Sequence, residues 1–431
     1  MRGGKTPSRW LMVVILFLFL LFHQLMWFLV EPITGLFSAT SSVSDRWFDI
    51  ELPLDMMVAT VLFLVWGYFY DRHSRKRLMS LAGFFWGVSA WLMSFSSTLP
   101  TFNMSRAFSG VGRASQPGIF AFIGDIFKPT NRGKILSFLL ISQPLAFLLA
   151  MVWEGILVTE NHWRSLLILL GAIAFLLSLA IHFSLKETKR GASEPALIDL
   201  YMTGIYQFDW DIAKSALRKR SLILVYLFML IGVIPWIVLP NGLMIFLRDV
   251  QTLQAADIFL SFLPTFFGIT LGYPVGGILG DILFKYSKKG RLYPSLVGLL
   301  MACICLYLAL RVPSIQMQGF FLCILLMGFF MAFPWGNMFA AVMDITLPEL
   351  RGSAFAIVLL LQAVSSLISP SILIYTQGLV GLENAILWLC IGAWGISIII
   401  IILLIFFIPR DVEQLRRHMA YRSHLEARLE R

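Results

Sequence analysis

Residues 125–133 read DIFKPTNRG and residues 344–352 read DITLPELRG. Both fit Asp-x-x-x-Pro-x-x-Arg-Gly, 219 residues apart. A second pair lies upstream of each copy. Gly67 to Arg77 read GYFYDRHSRKR, and Gly277-Ile-Leu-Gly-Asp281 is followed by Lys285, Lys288, Lys289 and Arg291, which places Asp281 210 residues after Asp71. Two motifs recurring in one order at nearly one offset predict a duplicated architecture, with a parallel repeat in each half.

What is repeated follows from composition. Hydrophobic residues make up 58% of the chain and charged residues only 13%, which is outside the range of soluble globular domains. A membrane-crossing helix needs about 20 mainly apolar residues. Dividing the chain at its charged and turn-rich breaks gives twelve such segments, near 10–40, 54–70, 78–97, 102–125, 135–158, 165–185, 221–247, 256–284, 292–310, 317–343, 353–379 and 384–408. The expected fold is therefore an all-α membrane protein, with twelve transmembrane helices in two six-helix bundles. Residues 1–185 form the first bundle, 186–220 an inter-bundle linker, 221–408 the second bundle and 409–431 a basic tail. Within the linker, 210–220 reads as a short amphipathic helix on the membrane surface or as a solvated connection. The first segment is too long for a signal-peptide core and lacks a small-residue cleavage pattern, so it is expected to be retained.

The net charge of +10 has a topological explanation. With both termini inside, the inner loops and tails hold 28 Lys and Arg against four outside, Arg46, Arg164, Arg248 and Arg311. This is the positive-inside asymmetry. It assigns the basic residues to orientation and contact with anionic lipid rather than to nucleic acid. The expected location is a plasma or inner membrane, multi-pass, with both termini cytoplasmic. Cys303, Cys305, Cys323 and Cys390 all fall inside apolar segments and read as small buried side chains, with neither a disulfide framework nor a metal site. No cofactor is indicated. The sequence contains no H-E-x-x-H, no G-x-S-x-G and no P-loop, which removes the common signatures of a membrane enzyme.

The Gly-x-x-x-Asp-Arg-x-x-Arg-Lys-Arg run at 67–77, the repeated motif and the Trp163-Arg164 opening of the sixth span resemble the signature of the major facilitator superfamily. Within it, Arg106-Ala-Phe-Ser-Gly-Val-Gly-Arg-Ala-Ser115 and Leu185-Lys-Glu-Thr-Lys-Arg-Gly-Ala-Ser-Glu194 are similar to Spinster-like transporters. The resemblance implies secondary transport by alternating access, a monomer, and a central cavity lined by the first, fourth, seventh and tenth helices. Two positions depart from the Spinster pattern. Arg113 stands where those proteins usually carry an acid, and His23-Gln-Leu-Met-Trp27 stands where they carry an Asp-Arg pair.

The expected gate comprises Gly67, Asp71, Arg72, Arg75, Asp125, Arg132, Asp281, Asp344 and Arg351. Its basic residues after the second span are expected to anchor the loop on anionic lipid. Asp71 reads either as a local salt-bridge partner or as a latch. As a latch it would cap the eleventh helix just after Arg351-Gly352, with Asp281 capping the fifth just after Arg132-Gly133. For substrate, Arg106 and Arg113 are ionisable groups inside a span and must face a cavity. Glu154 is expected to pair with Arg106. Arg113, with no obvious acidic neighbour, suits an anion or a solvated cavity. His23, Gln24, Trp27 and Glu31 cluster on one side of the first helix, with His23 either a proton-coupling group or a core residue, and Glu31 either a gate or an interfacial acid. Trp236, Trp335 and Phe333 are expected opposite the arginines, with Asn337 a further candidate contact, near interruptions at Pro235-Trp236 and Pro240-Asn241 in the seventh helix and at Pro334 in the tenth. One basic and one apolar wall suit an amphipathic anion such as a lysophospholipid or sphingoid phosphate. The alternatives are a small organic-anion or sugar carrier and a lipid scramblase.

Overall fold

The structure, a computed structural model, describes residues 8–40, 54–157, 162–197, 209–250, 255–311 and 317–429. Among these residues it is all-helical. The expected loops at 41–53, with Arg46, and at 158–161, 251–254 and 312–316 lie outside the described residues, as do residues 198–208 of the linker.

Twelve helical rods follow one another in the expected order. Those of the first half are Arg9–Thr40, Leu54–Arg72, Arg75–Ser94, 99–126, 132–157 and Trp163–Ser184. Those of the second half are 220–245, Ala255–Tyr286, Leu292–Arg311, 317–345, Arg351–Val380 and Leu382–Leu429. Among the described residues, ten helices are long and apolar enough to cross a membrane by composition. The third and fourth fall short because one starts on Arg75, Lys76 and Arg77 and the other carries Arg106 and Arg113. Both still present apolar side chains outward, Leu81, Phe84 and Leu92 on the third and Met104 on the fourth, while Arg75 and Arg106 are buried.

Four rods are broken, each just ahead of a proline. The fourth divides between Arg113 and Gln116-Pro117, the fifth between Leu140 and Ser142-Gln-Pro144, the seventh between Gly232 and Ile234-Pro235, and the tenth between Met331 and Phe333-Pro334. Proline lacks the N–H that would continue the ladder and clashes with the carbonyl one turn back, a defect of about 3 kcal/mol in a helix interior. At the first turn of a new segment that cost disappears. The breaks expected at Pro235 and Pro334 are present, whereas the one expected at Pro240 is not, since that residue lies inside the continuous segment Ile234–Ile245; the fourth and fifth rods add two more around the same central space.

Across the halves, the second rod runs along the eleventh, while the fifth packs on the eighth and on the second segment of the tenth. Gly67 allows the first approach, since a Cβ there would lie 2.4 Å from the Ala356 Cβ. Gly277 allows its counterpart, where a Cβ would meet Ser137 Oγ at 2.3 Å.

One part differs from expectation. The basic tail at 409–431 is not a separate segment: the last helix continues through Pro409 to Leu429. Its apolar face, Val412, Leu415 and Met419, is buried, and Leu415 and Met419 pack with Leu197, Ala213, Ala216, Leu347 and Leu350. The linker forms a short helix, Trp210–Leu217, capped by the Asp209 carboxylate, and its Trp210 ring stacks on Tyr68.

Candidate functional site

Between the halves lies a chamber of about 260 Å³. The breaks in the fourth, fifth, seventh and tenth rods all border it. On the first-half side Gln24, Gln116 and Gln143 present amides, and on the other Trp236, Tyr273, Trp335 and Phe339 form an aromatic wall. Trp236 stacks on Tyr273 and meets Trp335 edge-on with centroids 5.6 Å apart. Arg113 is the single charged residue among the described residues lining this chamber.

Arg113 is held from behind. Its guanidinium lies 4.8 Å from the Trp27 ring centroid, and its Nη1 is 3.5 Å from Asp55 Oδ2. The other oxygen, Asp55 Oδ1, accepts from Arg106 Nε at 3.3 Å. Asp55 is 3% exposed, so one carboxylate serves two guanidiniums in a desolvated corner, where leaving any member unpaired would be costly. Gly110 explains the approach, because a Cβ there would stand 2.4 Å from the Asp55 carbonyl oxygen and would push the second and fourth rods apart. His23 lies in the same corner against Trp86; it does not line the main chamber.

Several expected partners are therefore corrected. Arg106 pairs with Asp55 and not with Glu154, because the second rod is closer to it than the fifth. Arg113 does have an acidic neighbour. Asn337 is fully buried away from the chamber, donating from Nδ2 to the carbonyls of Gly276 and Phe333 at 2.9 Å. Phe333 packs on Gly276 and Gly298 between the eighth, ninth and tenth rods and also misses the lining. Trp27, Gln24, Trp236 and Trp335 do line it.

A vestibule of about 900 Å³ adjoins the chamber on the side away from the basic loops. The two share Trp27, Gln143, Trp236 and Ile237 in their linings, which makes a waist. Glu31 and Glu154 both border the vestibule, with Arg248 and Asn241, amid mainly apolar walls.

The basic end of the molecule is closed by a network with near-twofold pairing. Gly352 and Ser353 N–H donate to Asp71 at 2.8 and 2.7 Å. Equivalently, Gly133 and Lys134 N–H donate to Asp281 at 3.0 and 2.8 Å. Each carboxylate satisfies the orphan donors at a helix start in the opposite half. Arg75 joins Asp125 of its own half to the Pro348 carbonyl of the other, and Arg291 joins Asp344 to the Pro129 carbonyl. Arg132 reaches across to Asp344 at 3.3 Å, and Arg351 to Asp125 at 3.6 Å. Arg75 is thus buried in the interface and is not a lipid anchor. Arg72 lies over the Tyr68 ring.

One group breaks the symmetry. Glu194, from the linker, accepts from Arg132 at 2.5 Å and from Arg351 with the same oxygen. Burial alone would raise its pKa, but the two guanidiniums outweigh it and hold it at about 2. The segment carrying it is tied to the first half. The Glu187 carboxylate accepts from Arg75 and Lys76 N–H at the third helix's start, and Gly191, in the left-handed region at φ 72°, donates to Asp125. Sequence reasoning missed Asp55, Glu194 and the pairing role of Arg291. Asp55 looked like an ordinary acid at a helix start, and Glu194 lay in a polar linker.

The Major Facilitator Superfamily model matches residues 16–370. Protein spinster homolog 1 of Xenopus tropicalis is 29% identical over 188 residues, 42% of this chain and 35% of that protein. The sphingosine-1-phosphate transporter SPNS2 of Danio rerio is 30% identical over 142 residues, 32% of this chain and 28% of that protein. The chain thus spans about a third of the length of the curated relatives it matches. Among solved structures, the human organic anion transporter MFSD10 (TETRAN) superposes with a TM-score of 0.72 at 16% identity, covering 92% of this chain and 100% of that one, a likeness of fold.

Proposed function

The chain belongs to the Major Facilitator Superfamily, and from that premise we propose that it is a secondary transporter of amphipathic anions working by alternating access, with its basic face in the cytoplasm. The observation carrying this reading is Arg113, a lone charge among the described residues on a chamber wall otherwise built of amides, hydroxyls, aromatic rings and aliphatic side chains. A guanidinium presents fixed N–H donors suited to a carboxylate, sulfate or phosphate, and an aromatic wall opposite suits an apolar body. The interlocked basic end and the vestibule on the other side support assignment of this conformation to the outward-facing state. Asp71, Asp281, Arg75 and their partners then act as the gate that must part for release. Glu31 and Glu154 border the entry path.

A lysophospholipid or sphingoid phosphate would place its head at Arg113 and its chain through the waist into the vestibule. The sphingosine-1-phosphate named for the Danio rerio relative is of this kind. A second reading, a small organic anion, is favoured by the chamber's 260 Å³, which suits a compact molecule. Reconstituted flux tests both. Uptake of a labelled lysophosphatidate or an aryl carboxylate should fall about tenfold or more in Arg113→Ala, the loss of a charge-assisted contact, and Arg113→Lys should keep part of it. Unchanged uptake in Arg113→Ala would overturn the assignment. Accumulation against a gradient separates a transporter from a scramblase, which only equilibrates.

A further inference from the structure

The corner behind the chamber sets how many negative charges the chamber can accept. It holds two guanidiniums, Arg106 and Arg113, and one carboxylate, Asp55, with salt-bridge separations of 3.3 and 3.5 Å. Both Asp55 oxygens are engaged, one by each arginine. His23 is the remaining ionisable side chain among the described residues that line this corner. Around these groups stand Met26, Val30 and Trp86, so water is scarce and unbalanced charge is expensive. On the chamber side Arg113 is alone, and the other polar lining groups are neutral amides and hydroxyls.

We infer that Asp55 is a specificity-determining residue: it cancels one of the two arginine charges and leaves the site short of a single negative charge, so that the substrate head group bound there is a monoanion. The inference rests on the reading of Arg113 as the anion contact. A sulfate ester, a carboxylate or a phosphodiester meets the requirement at every physiological pH. A phosphate monoester meets it only with one proton on, below its second pKa of about 6. Such a substrate enters as the monoprotonated form and brings its proton with it. Asp55 touches the chamber through Arg113 and acts by charge, not by direct contact.

The test uses a matched pair of compact aromatic ligands, naphthyl sulfate and naphthyl phosphate, titrated onto the purified full-length protein. At pH 8 the phosphate is a dianion, and His23→Gln controls for any proton taken up by the corner's imidazole. The expected result at pH 8 is sulfate binding about tenfold or more tighter than phosphate, since the second charge is buried uncompensated. The gap should close as pH falls through about 6, and should close identically in His23→Gln. Asp55→Asn, which leaves two uncancelled guanidiniums, should reverse the preference at pH 8. Where Asp55→Asn fails to fold, the wild-type pH profile decides alone.

Equal affinities at pH 8, or a gap that stays open down to pH 5, would overturn the charge count. So would a gap that closes in wild type but not in His23→Gln. If Arg113→Ala binds both ligands as wild type does, or if neither ligand binds wild type at any pH, the anion-site reading itself falls. If Arg113→Ala loses both ligands while Asp55→Asn keeps the wild-type preference, that reading stands and the role given to Asp55 is wrong.

Discussion

A guanidinium inside a bilayer is tolerated when it reaches water, a counter-charge or an aromatic face, and Arg113 has the last two while still bordering a cavity. Its presence in a span was legible in the sequence. Its counter-ion was not, because Asp55 stands at the second position of its helix, where an acid ordinarily reads as a solvated partner of the helix dipole. Glu194 makes the same point at the basic end, since nothing in a polar linker announces a carboxylate buried between arginines of two halves. Its pKa of about 2, against an ordinary 4.5, gives a signed prediction. A carboxyl depressed in the folded state stabilises that state above its ordinary pKa, and the contribution fades as pH falls toward the folded value. Glu194→Gln should therefore lower the thermal midpoint by a constant amount between pH 8 and 5, and the difference should shrink below about pH 4.5. A wild-type minus mutant difference that instead titrates between pH 8 and 6 would show that Glu194 is not held as described.

At the scale of the helix, prolines at 235 and 334 marked their breaks in advance, because a missing N–H has a local cost that no tertiary contact restores. The last helix was misread for the opposite reason. Its continuation past Pro409 depends on a tertiary surface, the Leu197, Leu347 and Leu350 cluster, which a basic stretch does not display by itself. Arg422 pairs with Glu349 at 2.6 Å and Lys288 with Glu413 at 2.8 Å, so the extension joins the eighth-to-ninth loop to the start of the eleventh helix. Leu415→Ala should cost about 2 kcal/mol or more, the range for a buried leucine, read as a lowered melting midpoint. Deleting 410–431 should do so at least as strongly. The second and eleventh rods carry a separate prediction. Gly67→Val adds atoms where 2.4 Å is available, so it should force these rods apart and raise thiol labelling of a cysteine placed at Ser353. Labelling no faster than in the Gly67 protein would contradict the close packing.

At the scale of the molecule, the repeat offset was the most informative number in the sequence, since it foretold that whatever Asp71 does in one half Asp281 does in the other. The structure places both on helix starts of the opposite half, with matching arginines on matching proline carbonyls. Each cap is worth about 0.3–1 kcal/mol, up to about 2 when partly buried, and the symmetry makes the caps separable by mutation. Asp71→Asn and Asp281→Asn should each weaken closure of the basic face, and the double variant more than either. In this account the two halves rock about the central chamber, which requires that these contacts exist in one state and part in the other. The direct measurement is the distance distribution between spin labels at positions 77 and 285, both exposed on the basic face, in a background without other cysteines. The wild-type protein should give a short-distance population that shifts to a longer one in Asp71→Asn/Asp281→Asn. A distribution identical in the two proteins would contradict the rocking of the halves about a latched face.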